Sequence, residues 1–142
     1  MVHPLNTQNL VERFNRAAIF GRDEDIKAIV DPEITSVFNG NGTEETFKGV
    51  EHLLQKFHTL FNHVVNTNAE SYEYTKSTES EITVTFEQRF TIPGPTSMII
   101  KGTQTWSCAE IKDKKVLTHL NIEYTKKISI LDCIPILGCE TQ

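Results

Sequence analysis

The sequence predicts an α+β domain in which the helices come first and an antiparallel sheet follows. Apolar residues recur at steps of three and four in two stretches before Val64, which is the period of a helix with one buried face. From Ala69 onward they alternate with polar residues, the period of a strand with one wet face. The 142 residues, 38% of them apolar, leave room for about one folded domain.

Two helices are predicted before the first strand. Apolar residues from Leu10 to Ala18 form one stripe of a helix that runs from about Asn6 to Phe20, where Gly21 is well placed to end it. Asp23 is predicted to cap a short second helix, because aspartate is a favoured N-cap residue. The buried positions that follow it are Ile26, Ile29 and Val30.

A hairpin and a third helix come next. The strand over 33–39 is followed by an Asn-Gly-Asn-Gly run, whose residues tolerate positive φ, and by a short return over 45–48. The spacing then predicts the clearest helix of the chain from about Val50 to Val64. Its apolar stripe is Val50, Leu53, Leu54, Phe57, Phe61 and Val64.

A meander of three long strands completes the predicted sheet. Residues 82–92 alternate most clearly, Pro93-Gly94-Pro95 turns the chain into Met98–Ile111, and a second turn leads into Val116–Thr125. Alternation assigns the inner face of the three strands to Ile82, Val84, Phe86, Gln88 and Phe90, then Ile100, Gly102, Gln104, Trp106 and Cys108, then Thr118, Leu120, Ile122 and Tyr124. We expect Phe57, Phe61, Phe86 and Trp106 to share one core.

Residues 1–127 are predicted to form the domain, and residues 128–142 an apolar C-terminal tail. The tail would pack on the domain or on a dimer mate, or would dock another partner. Cys139 stands where a prenylated cysteine would, but Glu140 follows it instead of an aliphatic residue, which leaves that modification open.

Composition and cysteine usage limit the function classes. The net charge of −5 disfavours a nucleic-acid partner, and no apolar stretch approaches the length of a membrane span, so a cytoplasmic protein without nucleic-acid or membrane partners is expected. Three cysteines without a CxxC pair indicate reduced thiols rather than a disulfide framework. The histidines lack the spacing of a helical metal pair, and no glycine-rich phosphate loop occurs, so neither a metal nor a cofactor is predicted.

The order of elements over residues 6–125 resembles the nuclear-transport-factor-2-like (NTF2-like) superfamily, in its ketosteroid isomerase and polyketide-cyclase (SnoaL-like) branch. The stretch from Leu10-Val11-Glu12-Arg13-Phe14 through Gly21-Arg22-Asp23 is similar to the first-helix pattern of that family, and Phe47-Lys48-Gly49 is similar to the entry of its third helix. The resemblance implies a cone, a curved antiparallel sheet wrapped around three helices from the N-terminal half, with one pocket inside.

The isomerase chemistry of that family requires a tyrosine, an aspartate base and a second, protonated aspartate. Matched position by position, the tyrosine corresponds to Phe14. The aspartate base falls on or beside Asn39, with Phe38 as the alternative register, and the second aspartate falls near Gln104 or Trp106. None of these side chains supplies a carboxylate or a phenol, so only a hydrogen bond from Gln104 survives. The sequence therefore predicts loss of the isomerase reaction, with no catalytic residue assigned.

The expected function is the binding of a small apolar molecule inside the cone, oriented by Gln88, Gln104 and His58. The pattern favours a hydrogen-bonded or solvated boundary position for His58 over a role in the pocket, because the apolar stripe of the helix is centred on Phe57. The alternatives are a cofactor-independent isomerase, dehydratase or cyclase, and an adaptor like nuclear transport factor 2 whose cone receives a partner's aromatic side chain. The predicted pocket residues are Phe14, Ala18, Phe38, Asn39, Phe57, His58, Phe86, Gln88, Gln104, Trp106 and Tyr124.

A homodimer is also expected, through the outer face of the sheet. Members of the family often pair there, and a flat, weakly charged surface suits pairing of two identical faces. The residues assigned to that surface are Thr83, Thr85, Thr103, Thr105, Ser107 and Asn121.

Overall fold

The computed structural model describes residues 7–61, 66–92 and 96–130 and contains the predicted helices and strands in the predicted order, together with one strand that was not predicted. The helices are α1 (Thr7–Ile19), α2 (Asp23–Lys27) and α3 (Val50–Phe61). The strands are β1 (Val30–Gly40), β2 (Thr43–Lys48), β3 (Asn66–Ser77), β4 (Glu81–Ile92), β5 (Thr96–Ile111) and β6 (Lys114–Ile130). The predicted α+β class is thereby confirmed, and so is the cone of a curved sheet around the helices.

The six strands form one sheet in the order β2-β1-β6-β5-β4-β3. Neighbouring strands are antiparallel except for β1 and β6, which run parallel from Val30 opposite Leu117 to Gly40 opposite Tyr124. The prediction of a purely antiparallel sheet is therefore corrected at this one pair. Pairing the first strand with the last places the hairpin β1–β2 beside the meander, so both halves of the chain share one sheet.

Strand β3 is absent from the sequence-based assignment, which counted three strands in the meander. It pairs antiparallel with β4, with Tyr72 opposite Phe86, and forms one edge of the sheet. Its side chains over 70–77 are exposed except for the half-buried Tyr72 and Tyr74. A charged edge strand protects a sheet from further pairing, and it carries too few apolar residues to be recognised by periodicity.

Helices α1 and α3 pack on the inner face of the sheet and bury the predicted core. Phe14 of α1 lies between Phe57 of α3 and Trp106 of β5, with ring centroids 5.2 and 4.5 Å apart. Phe86 belongs to the same buried cluster, and Phe61 packs against it. The expectation that Phe57, Phe61, Phe86 and Trp106 share one core is confirmed.

Several local boundaries differ from the prediction. The residue that precedes α2 is Arg22, and Asp23 lies in the first helical turn without capping it. Helix α3 is described as far as Phe61, and its predicted end at Val64 lies outside the described residues. Strand β6 continues past the predicted domain boundary at 127 to Ile130. Residues 128–130 of the predicted tail belong to β6, and residues 131–142, with Cys133 and Cys139, lie outside the described part.

A β-bulge changes the inner face of β6 near its start. Ser107 pairs with His119 but Cys108 pairs with Leu117, so Thr118 is the extra residue of the bulge. Leu117 is fully buried where alternation had assigned Thr118. Assignment of faces by strict alternation fails at this point, because the extra residue of a bulge reverses the faces of the side chains on one side of it.

No helix in the described ranges is long and apolar enough to cross a membrane.

Candidate functional site

A small cavity lies between α1, α3 and the inner face of the sheet. Its volume is about 10 Å³, which is room for about one water molecule. The cavity is therefore almost filled by the side chains around it. These are Asn15, Ala18, Phe57, Leu60, Phe61, Phe86, Gln88, Ile100, Gln104, Ile122 and Tyr124.

A network of three side chains runs along the polar side of this cavity. Nε1 of Trp106 donates to Oε1 of Gln104 at 2.9 Å. Gln104 and Asn15 then form a reciprocal amide pair, in which Nδ2 of Asn15 donates to Oε1 at 3.2 Å and Nε2 of Gln104 donates to Oδ1 at 3.1 Å. All three side chains are buried. Each amide nitrogen carries a second hydrogen beyond these bonds.

Asn15 was not among the predicted pocket residues, although the sequence contains the signal for it. It stands four positions after Val11 and three before Ala18, so it shares the buried stripe of α1. A polar residue on such a stripe is buried only with hydrogen-bond partners. Its partner Gln104 is 89 positions away, and the helical pattern alone could not identify it.

Gln88 supplies a second polar group to the cavity wall. Its Nε2 donates to the hydroxyl of Tyr72, across the β3–β4 pair, at 2.6 Å. Burial, together with the charge of Glu70, raises the pKa of Tyr72 well above its ordinary value. Tyr72 therefore remains a neutral phenol in the folded protein at physiological pH.

Three predicted pocket residues are packed into the core and do not line the cavity. Phe14, Phe38 and Trp106 are fully buried, and Phe38 lies edge-on to Phe57 with centroids 5.6 Å apart. The predicted residues that do line it are Ala18, Phe57, Phe86, Gln88, Gln104 and Tyr124. Aromatic packing has thus closed most of the space expected for a ligand.

Asn39 and His58 lie away from this cavity. Asn39 follows the inward-facing Phe38 on β1 and lines a groove on the opposite face of the sheet. The Nε2 atom of His58 is 2.9 Å from Oδ1 of Asp23, and 54% of the histidine side chain is exposed. His58 therefore joins α3 to α2 on the outside of the domain, where it cannot orient a ligand held between Ala18 and Gln104.

Lys56, a half-buried lysine of α3, covers one side of the cone. Nζ of Lys56 is 2.6 Å from Oε1 of Glu45 and 5.7 Å from the ring centroid of Phe38. Burial lowers the pKa of Lys56, but the hydrogen bond to Glu45, the charge of Glu45 and a further contribution from Tyr124 outweigh it, and the net shift is upward. The ammonium therefore remains charged and links β2, α3 and β6 near the cavity wall at Tyr124.

The outer face of the sheet carries a larger groove, with a volume of about 710 Å³. Four threonines predicted for this face lie opposite one another, with Thr83 opposite Thr105 and Thr85 opposite Thr103. Charged residues line the groove next to them, so this part of the face is more charged than expected. They are Glu73, Glu87, Lys101 and Glu123.

The cavity offers hydrogen bonds and apolar contact, with little capacity for proton transfer. Its described lining contains no carboxylate, histidine or lysine, and its one ionisable side chain is Tyr124. General acid–base catalysis needs a titratable group within hydrogen-bond reach of the reacting atom. The described lining therefore provides hydrogen-bonding and apolar groups, and no carboxylate, histidine or lysine that could act as a general base.

No protein-family model matches the sequence, and no curated protein matches it. Solved structures do share its fold. A putative isomerase from Rhodopseudomonas palustris is 15% identical, with a TM-score of 0.63, over 83% of this chain and 90% of that one. A computationally designed 17-OHP binder is 15% identical, with a TM-score of 0.61, over 84% of this chain and 95% of that one. The structure described as "Rd1NTF2_04 with long sheet" is 9% identical, with a TM-score of 0.59, over 82% of this chain and 99% of that one.

Proposed function

We propose that this chain, which has the fold of the NTF2-like superfamily, is a non-catalytic protein that binds a small, largely apolar molecule inside its cone. The observation that supports this most is the combination of an apolar cavity wall with the amides of Asn15, Gln88 and Gln104. Pockets for small molecules are generally apolar with a few well-placed polar groups. The designed 17-OHP binder is an example of the same fold used for binding.

The ligand must displace part of the wall, because the cavity volume is only about 10 Å³. Phe61 is the suitable residue to move, since it is only partly buried and lies at the edge of the cavity. Its ring stacks on Phe57 at 6.1 Å and meets Phe90 edge-on at 5.2 Å. Rotation of this ring would enlarge the cavity at the end of α3 without disturbing the amide pair.

Binding can be tested with cyclohexanone as the probe, following the fluorescence of Trp106, the single tryptophan of the chain. The proposal expects a saturable change for the wild type, tighter binding by Phe61→Ala, and binding weakened by about tenfold in Gln88→Leu, which loses one polar group. Gln55→Leu, on the exposed side of α3, is the control and should bind as the wild type does. Absence of saturable binding by both the wild type and Phe61→Ala would overturn the proposal.

Turnover of a β,γ-unsaturated ketosteroid separates this function from the isomerase alternative. The wild type is expected to show no turnover above buffer, because the lining described here holds no carboxylate base. Turnover that disappears in His58→Ala would favour an enzyme. Native mass spectrometry of the purified protein would identify any molecule that copurifies with it.

The homodimer and the cytoplasmic location also remain proposals. The paired threonines of β4 and β5 support pairing through the outer face. Glu73 and Glu123 oppose it, unless Lys101 of one copy meets a glutamate of the other. Light scattering at high micromolar concentration, repeated with Thr103→Arg, tests the dimer: a wild-type monomer would count against it.

A further inference from the structure

Strand β6 extends beyond the strand that pairs with one of its edges. The β1–β6 pairing ends where Gly40 lies opposite Tyr124, whereas β6 continues to Ile130. On its other edge, β5 pairs with it as far as Thr96 opposite Ile130. Residues 125–130 therefore have one edge that no strand meets within the described ranges 7–61, 66–92 and 96–130.

The side chain of Asn41 takes the place of a strand at the start of this open edge. The backbone N–H of Lys126 donates to Oδ1 of Asn41 at 3.0 Å, and Nδ2 of Asn41 donates to the carbonyl of Lys126 at 3.4 Å. Backbone groups alternate between the two edges of a strand, so the next N–H and C=O on this edge belong to Ile128. Lys126 is thus satisfied, whereas no described residue outside β5 pairs with the same edge at Ile128.

The apolar inner face of the sheet becomes exposed at the same residue, Ile128. Ile128 lies opposite Met98, and Met98 lies opposite Phe90, so the three side chains share the inner face of the sheet. Phe90 and Met98 are buried, but Ile128 is 57% exposed. An unpaired strand edge beside an exposed isoleucine is a site for addition of a further strand.

We propose that the occupant is the chain's own segment 134–137, folded back as an antiparallel strand on β6. The sequence after Ile130 is Leu131-Asp132-Cys133-Ile134-Pro135-Ile136-Leu137. A loop over 131–133 has the usual length for a hairpin and places Ile134 opposite Ile130 and Ile136 opposite Ile128.

Two independent features of the sequence agree with this register. The backbone groups of Ile134 and Ile136 point to β6, so Pro135, which has no N–H, faces the outer edge, where proline is tolerated. Residues opposite each other in an antiparallel pair share a face, so the side chain of Ile136 covers the exposed Ile128. A register shifted by one residue would place Pro135 against β6 and turn both isoleucines outward.

The added strand extends the wall of the cone next to the cavity. Lys126 is two residues before Ile128 and shares its face of β6. It lies opposite Ile100, which lines the cavity. The inference does not depend on the identity of a ligand, or on whether one binds.

Paramagnetic relaxation enhancement in the 142-residue chain tests the proposal. Cys108 is buried, so in Cys133→Ser a nitroxide reacts with Cys139. The expected result is broadening of the amide signals of Asn41, Lys126 and Ile128, with the amide of Ile128 exchanging at least about tenfold more slowly than in Ile136→Asp. Ile136→Asp should abolish the broadening, whereas Leu137→Asp, whose side chain would face outward, should retain it.

Mixing isotope-labelled chains with separately spin-labelled chains shows which molecule supplies the segment. Broadening that persists undiminished in the mixture would assign the strand to a second copy and overturn the proposal. Equal effects of Ile136→Asp and Leu137→Asp, or no broadening at Ile128, would overturn it as well. Protection of the Ile128 amide only after addition of another protein would assign the edge to a partner instead.

Discussion

The indole N–H of Trp106 donates to Oε1 of Gln104, two residues away on the same strand, at 2.9 Å. An indole nitrogen can only donate, so this bond sets which end of the Gln104 amide is the oxygen. Gln104 in turn sets the orientation of Asn15 through their reciprocal pair. One donor-only group on β5 therefore orients both amides at the cavity wall.

Gln104→Leu should destabilise the protein by about 2–4 kcal/mol, because it leaves the Trp106 N–H and the Asn15 amide buried without this partner. Urea unfolding followed by circular dichroism measures the change. Gln55→Leu, at an exposed position of α3, should stay within about 0.5 kcal/mol of the wild type. An equally small effect of Gln104→Leu would mean that the network contributes little to stability.

Ser36→Ala should stabilise the protein by about 1 kcal/mol. The Ser36 hydroxyl on β1 is fully buried, and its Oγ has no hydrogen-bond partner among the described residues. Removing a buried hydroxyl without a partner removes its desolvation penalty. Ser71→Ala, at an exposed position of β3, is the matched control. A loss of stability in Ser36→Ala would show that the hydroxyl is satisfied by a group not described here.

Gly102→Ala should cost about 3 kcal/mol or more. A Cβ at Gly102 would clash with the backbone oxygen of Glu123 on β6, and a backbone atom cannot give way as a flexible side chain can. Gly42→Ala provides the contrast, since Gly42 has φ +86 with nothing near its absent Cβ. That change should cost only about 1 kcal/mol of backbone strain. Thermal unfolding of the two variants should rank them in this order.

Stability should fall between about pH 10 and 12, in part through Tyr74. Burial, followed by the charges of Glu12 and Glu70, raises the pKa of Tyr74 to about 12. The unfolded chain titrates near the ordinary value of about 10. The raised pKa therefore contributes stability that is fully present below pH 10 and is lost as the pH rises through 12.

Urea unfolding at a series of alkaline pH values measures this loss. Tyr74→Phe removes the titrating group and should give a shallower decline than the wild type between pH 10 and 12. The two proteins should show the same pH dependence between pH 7 and 9, where Tyr74 is neutral in both states. Parallel declines above pH 10 would show that Tyr74 does not contribute.

The sequence alone determined the local structure and most of the buried positions. The helical stripe of Phe14 and the alternation through Phe86 depend only on spacing along the chain, and both side chains are buried as predicted. Periodicity also predicted that Gln88 and Gln104 face inward, because an unbroken strand preserves its alternation.

The tertiary structure alone decided how these elements combine. The parallel pairing of β1 with β6, the bond between Asn15 and Gln104, and the position of His58 beside Asp23 all join residues distant in the chain. Local spacing contains no information about such contacts, and a bulge at Thr118 shifts a face without any clear local signal. The size of the cavity was decided in the same way, since it is what remains after Phe14, Phe57 and Trp106 have packed together.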